Sequence, residues 1–302
     1  MKYFITSDTH SFYTQLEIGL EKAGFDINNP EHIFVLDGDL FDRGTESAKI
    51  LNFVQSLPKE RKILIRGNHE YLLKKLLDKE MPDDYDWSNG TVMTCYHLYK
   101  ARHPKTTIFK NYNYIKKRDI KWFLAVGYKY EIQMFNIIMQ DLLSKRTWKM
   151  ITDDLKQSGL IDWIMGDEWV DYTEIGPYIV THSFIPIIDE SRYGTYFDTE
   201  RKSCNPDWRN ASKRDWEKAT WGCPYRDFDA GLFNLEIQNG KTLVCGHWHS
   251  EDFWEHYENL SKNCNIYKRD NLIAIDACTI ISGFVNVLVI DDKDYIPTFV
   301  DN

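Results

Sequence analysis

His32-Ile33-Phe34-Val35-Leu36 and the residues after it, Asp37-Gly38-Asp39-Leu40-Phe41-Asp42-Arg43-Gly44, decide the fold: an apolar run stops at a glycine and charged side chains. Runs of this length bounded by glycine and polar residues read as strands buried on both faces. The pattern recurs. Lys2–Thr6 leads to Asp8 and His10, and Lys62–Ile65 leads to Gly67-Asn68-His69. Farther along, Tyr178–Thr181 leads to His182, and Thr242–Cys245 leads to Gly246-His247-Trp248-His249. Two more runs, Asn271–Ile275 and Phe284–Ile290, close the chain without ligand-type residues of comparable spacing.

Helical periodicity fills the gaps between the early strands. Phe12–Ala23 places Leu16, Leu20 and Ala23 on one face, Ser47–Gln55 does so with Ile50, Leu51 and Val54, and His69–Leu77 with Leu72, Leu73, Leu76 and Leu77. Strand and helix in alternation predict an α/β fold with its sheet covered on both faces. Reactive groups then gather beyond the carboxyl ends of the strands, where each of these motifs falls. The chain reads as one domain over residues 1–302, with a helix-rich insertion or cap at about 80–175. Helices are expected there at Lys129–Leu143, Thr147–Gln157 and Leu160–Met165, with no metal-binding candidate, and Trp87, Trp122 and Trp148 read as core. A polar, irregular stretch follows from Asp189 to Asp229.

Composition narrows the function. Apolar residues make up 43% and charged residues 27%, which supports a full core. A formal net charge of -9 argues against nucleic acid as partner, because backbone affinity rests on clustered Lys and Arg. Lys116-Lys117-Arg118 reads as a solvated face. The six cysteines form no C-x-x-C pair, so thiolate zinc and a disulfide framework are not expected and a reducing cytoplasm fits. No run approaches the roughly 18 apolar residues of a membrane span.

Two divalent cations set about 3.5–4 Å apart need a bridging carboxylate with imidazole and oxygen ligands around it. Asp8 and His10, two apart on a loop, supply two ligands, and Asp39 stands where a bridging carboxylate would. Asn68 offers a carbonyl oxygen, and His182, His247 and His249 offer nitrogens. Each motif alone has a plainer reading: a strand-end turn at Asp8 and His10, a helix cap at Asn68, a satisfied core histidine at His182. In this order along one chain, metal binding is the better account. The donor mix points to manganese first, with iron, zinc or cobalt compatible, over the all-oxygen preferences of Mg and Ca.

Asp8-x-His10, Gly38-Asp39-x-x-Asp42-Arg43-Gly44, Gly67-Asn68-His69-Glu70, His182 and Gly246-His247-x-His249 together resemble the calcineurin-like metallophosphoesterase superfamily. Asp42-Arg43-Gly44 and Arg66-Gly67-Asn68-His69-Glu70 are similar to its phosphoprotein phosphatase family, especially bacterial and phage members, and Asp276-Ala277-Cys278 with Ser282-Gly283 to that family's final strand and turn. The resemblance implies a β-sandwich flanked by helices in α-β-β-α layers. It implies that Asp8, His10, Asp39 and His249 hold one metal, and Asp39, Asn68, His182 and His247 the other. A metal-bridging hydroxide would attack phosphorus while His69, oriented by Asp42, protonates the leaving oxygen. Arg43 would clamp phosphate, aided by a second arginine, Arg226 or failing that Arg214. Glu70 and Arg66 read as structural. Ser7, Ser11 and Ser183-Phe184 stand where that family commonly has glycines, which weakens the inference to a protein substrate.

The leading expectation is therefore a phosphomonoesterase acting on phosphoserine, phosphothreonine or small phosphoesters. A dinucleoside polyphosphate hydrolase is the main alternative, and a phosphodiesterase or nuclease of the superfamily is another. An inactive protein-binding scaffold belongs to a different class, against which the intact ligand set and His69 count.

Overall fold

In the computed structural model, which describes residues 1–106, 136, 139–140, 142–190 and 201–300, strands and helices alternate from the N-terminus. They run β1 (Lys2–Thr6), α1 (Tyr13–Ala23), β2 (His32–Asp37), α2 (Ser47–Ser56), β3 (Lys62–Ile65) and α3 (Asn68–Leu77). Four helices follow: α4 (Asp84–Asn89), α5 (Thr91–Arg102), α6 (Lys145–Gln157) and α7 (Leu160–Met165). Next come β4 (Trp169–Val170), β5 (Thr173–Ile175), β6 (Tyr178–Val180), β7 (Ile188–Asp189) and β8 (Lys202–Ser203), then α8 (Lys213–Ala219) and α9 (Pro224–Asp229). The chain continues through β9 (Thr242–His249), α10 (Ser250–Glu258), β10 (Tyr267–Arg269), β11 (Leu272–Asp276), α11 (Thr279–Ser282), β12 (Leu288–Asp291) and β13 (Pro297–Phe299). The helix expected at Lys129–Leu143 falls largely outside the described residues, as do Lys116-Lys117-Arg118 and Trp122.

Two sheets form a sandwich. The first is ordered β13-β12-β1-β2-β3-β4 and the second β10-β11-β9-β6-β5. Neighbours β1, β2, β3 and β4 are parallel in the first sheet, and β6, β9 and β11 are parallel in the second. Side chains alternate along each strand. Ile5, Ile33, Val35 and Ile65 therefore meet Val180, Val244, Ile273 and Ile275 between the sheets. Phe4, Phe34, Leu36 and Leu64 point the other way, into a cluster with Leu16, Val54, Leu73, Tyr96 and Trp148 of the helices. On the far side Ile179, Leu243 and Leu272 pack against Trp208, Trp216 and Phe253. The layers are α-β-β-α, as expected, and burial on both faces explains why these strands are apolar without alternation.

Three elements differ from the expectation. Phe284–Ile290 pairs only from Leu288, because Val285 and Val287 turn into the helical cluster and Asn286 Nδ2 donates to the Cys264 carbonyl at 2.8 Å. Such a run reports burial, not pairing. β9 carries on past Cys245 through both late histidines to His249. The segment at 80–175, expected to be helix-rich, also carries two short strands: β4 ends one sheet and β5 the other. Strands of two and three residues are too short for a period to show. Trp87 and Trp148 are core residues. Among the described residues all six cysteines are free, and no helix is long and apolar enough to cross a membrane.

Candidate metal centre

Three neighbouring parallel strands in each sheet end at the same place, so loops after β1, β2, β3 and β6 converge with the ends of β9 and β11. The backbone there is bent into the left-handed region at Asp8, His10, Asp39, Asp42, Arg43, His247 and Cys278, a conformation costly for residues with a Cβ. Interlocking hydrogen bonds hold it: Asp8 N–H donates to Gly38 O at 3.2 Å, His10 N–H to Asp39 O at 3.0 Å and Gly246 N–H to His182 O at 2.8 Å. Glu70, fully buried, accepts from the amides of Asp39 (3.0 Å), Leu40 (2.9 Å) and Gly67 (2.7 Å), and so fastens the second loop to the third. Gly38, at φ +81°, leaves no room for a Cβ because the His182 ring lies against it.

Asp39 sits at the centre with its two carboxylate oxygens facing different histidines. Oδ1 lies 3.4 Å from His182 Nε2, and Oδ2 lies 3.7 Å from His10 Nε2 and 3.8 Å from His69 Nε2. Two sets of possible ligands result, His10–Asp39–His69 and Asp39–His182–His247, each with its donor atoms within 4.8 Å of one another. The free nitrogens are fixed by hydrogen bonds at the others. His10 Nδ1 lies 2.8 Å from Phe41 O and His182 Nδ1 lies 2.9 Å from Asp37 O, so both rings turn Nε2 inward, as a lone pair at His10 and as an N–H facing the Asn68 and Asp39 oxygens at His182, a proton that a bound cation would replace. Asn68 Oδ1 is 2.9 Å from His182 Nε2, and Asp8 Oδ1 is 3.7 Å from His10 Nε2.

Burial shapes the charges. It pushes His10 well below the usual imidazole range, helped by Arg43 and His69, and does the same to His247, helped by His182. Neutral imidazoles are what a cation needs. Burial, and then Asp276, raises the Asp8 carboxyl well above its ordinary range. For Asp39 and His182 burial opposes both ions, but their attraction wins, holding the Asp39 carboxyl low and the His182 imidazole high. Shared carboxylate, neutral imidazoles and an amide oxygen form a donor set that fits a pair of transition-metal cations.

His69 is tied from the other side. Its Nδ1 lies 2.6 Å from Asp42 Oδ2, and Asp42 also accepts from Thr91 Oγ1 at 2.7 Å and Thr94 Oγ1 at 2.9 Å. Thr94 Oγ1 in turn accepts the Asp42 amide at 3.0 Å. Both threonines belong to α5, in the segment where sequence reasoning placed no site residue. Arg43 is half-buried beside His10 and His247, and among the described residues no carboxylate pairs with it. Arg66 braces the fold, donating to Ile164 O and Gly166 O and pairing with Asp171 at 2.9 Å.

Other expected residues lie apart. His249, at the end of β9, is 34% exposed in its side chain and joins neither ligand set. Its Nε2 faces Asp276 Oδ2 and its Nδ1 faces Asp252 Oδ2, each at 4.0 Å. Arg226 is exposed on α9, over the Tyr225 ring at 5.8 Å, and Arg214 is exposed on α8. Two acids were given no role in the sequence. Asp276, 2% exposed, reaches Asp8 and His249 because a register shift, with the extra residues on β9, sets it opposite His249. Asp37 is fully buried with neither carboxylate oxygen hydrogen-bonded.

Comparison with known proteins gives this arrangement its context. A 68-residue stretch is 40% identical to a symmetrical bis(5'-nucleosyl)-tetraphosphatase of Buchnera aphidicola, covering 22% of this chain and 23% of that one. The enzyme of that name from Shewanella frigidimarina is 27% identical over 163 residues, 51% of this chain and 59% of its own. The chain thus spans less than two thirds of the length of either relative. Among solved structures, a protein serine/threonine phosphatase from Saccharomyces cerevisiae superposes with a TM-score of 0.49 and 14% identity, over 100% of this chain and 80% of that one. The model of the calcineurin-like phosphoesterases matches residues 1–251, and the chain belongs to that family of metal-dependent hydrolases.

Proposed function

We propose that this protein is a binuclear-metal phosphoesterase that hydrolyses phosphate monoesters, phosphoserine and phosphothreonine among the eligible substrates. The observation that carries this reading is Asp39, whose two oxygens address two separate sets of histidines. Asp8, His10 and Asp39 would hold one cation, with His249 added once its ring turns in from Asp276, and Asp39, Asn68, His182 and His247 the other. Bound there, the cations would supply a water of lowered pKa and offset the charge on the phosphoryl group. Arg43, without a carboxylate partner among the described residues, would fork onto non-bridging oxygens. His69, anchored through Nδ1 on Asp42, would give a proton from Nε2 to the departing oxygen.

A second reading, hydrolysis of dinucleoside polyphosphates, is favoured by the names of the curated relatives. One panel separates the two, with Mn²⁺ added. Release of p-nitrophenol from its phosphate monoester, with the bis-ester left intact, supports the first. Dinucleoside tetraphosphate cleaved far faster than any monoester favours the second. Absence of turnover with every cation tried would refute both.

A further inference from the structure

Beside the ligand cluster opens a cavity of about 670 Å³ to which no role has yet been given. Its size is that of a pocket for one small organic molecule, typically about 300–1,000 Å³. At one end Trp221 meets the His247 ring edge-on at 5.8 Å, so the cavity begins one side chain away from the proposed second cation. The adjoining wall is stiff, because Gly222 O accepts from Ser183 Oγ at 3.0 Å and Trp248 Nε1 at 2.8 Å. From there an apolar wall, including Ile185 and Ile187, leads to Lys202, Asn205 and Asp227.

Lys202 is the unusual residue. Its side chain is 7% exposed, yet among the described residues its only acceptor is Asp227 Oδ1, 3.4 Å away. An ammonium carries three donors, and a buried one is seldom left so poorly satisfied. The donors that remain have the cavity to turn to. What they meet is decided by charge. Asp189, Asp215 and Asp227 line the space against Lys202 and Lys218, so carboxylates outnumber ammonium groups and a second phosphate is disfavoured. A neutral, flat group with hydrogen-bond acceptors on one edge fits better. Purine bases have that edge, with N7 on adenine and N7 and O6 on guanine, and lysine pairs well with it.

We propose that this cavity is the subsite for the leaving part of the substrate and takes a purine nucleoside, its acceptor edge on Lys202 and Asn205 and its flank on the Ile185–Ile187 wall. The proposal rests on the phosphoesterase reading only for where the scissile phosphate sits. Calorimetric titration of the Mn²⁺-loaded protein with guanosine tests it apart from catalysis. Guanosine is expected to bind, with affinity falling about tenfold in Lys202→Met, as for loss of one base contact. Ile187→Trp, which fills the space from the wall and keeps the buried lysine, should abolish binding, and unchanged circular dichroism shows that both variants fold. In turnover, Lys202→Met should lower kcat/KM for guanosine monophosphate about ten times more than for p-nitrophenyl phosphate. The proposal is overturned if guanosine does not bind, if neither substitution weakens it, or if Lys202 governs binding of tripolyphosphate instead. Guanosine binding without any phosphoester turnover would refute the proposed activity and leave the subsite standing.

Discussion

His69 has two possible duties, and geometry alone allows both: its Nε2 lies within the set it forms with His10 and Asp39, while its Nδ1 is held by Asp42. The tether to Asp42 favours the proposed proton transfer, since a ring anchored this way is aimed and its far nitrogen would be left for the substrate. His69→Asn is therefore expected to lower kcat by about 10²–10⁴-fold while bound metal, measured by elemental analysis, stays at the parent level. Metal lost along with activity would make His69 a ligand. A different test falls on Asp37, whose carboxyl burial pushes up to about 8. Between its ordinary 3.8 and about 8 the folded protein keeps a proton that the unfolded chain has released. Stability from this group is thus greatest at the acid end and is lost as pH rises across that window. In EDTA, Asp37→Asn should remove that part of the decline, read as urea midpoints across the window. An unaltered pH dependence would contradict the assignment.

Among the elements, α5 has the largest unexpected part. Thr91 and Thr94 reach Asp42 across separations of 49 and 52 residues, so their role exists only once α5 lies over the second loop. Thr94→Val would strip a donor from Asp42 Oδ1 and an acceptor from its amide, at a cost of about 1–3 kcal/mol. Denaturant midpoints should fall accordingly, and kcat should drop with them because the His69 anchor loosens. An active, equally stable Thr94→Val protein would show that α5 merely covers the site. The same contrast explains what the sequence made legible. Asp8, His10, Asp39, Asn68, His182 and His247 follow apolar runs directly, so strand and ligand announce each other. Asp276 also ends a strand, but its neighbour His249 is set by the pairing of β11 with β9, which no local pattern encodes. β4 and β5 escaped notice because two or three residues carry no period. Arg226 rested on the resemblance alone, and α9 carries it exposed over the Tyr225 ring.

For the molecule as a whole, the centre is the seam between the two sheets. Asp8 and Asp39 come from one sheet, His182, His247 and Asp276 from the other, and nearly all are buried. Without cations the seam brings Asp8, Asp39 and Asp276 close enough that each of the other two raises the Asp8 carboxyl. Bound divalent ions would turn that repulsion into a cross-link specific to the folded state. Such linkage contributes about 2.7 kcal/mol per site at a hundredfold excess over Kd. In a chain of this size each kcal/mol moves Tm by about 2 °C, so each filled site is worth about 5 °C. EDTA-stripped protein titrated with Mn²⁺, Fe²⁺, Zn²⁺ or Co²⁺ should therefore gain about 10 °C when both sites fill. Asp39→Asn should lose most of the gain at once, because that carboxylate serves both sets. A gain halved and not lost would mean two independent sites, and no gain with any of the four cations would leave the seam without its metals.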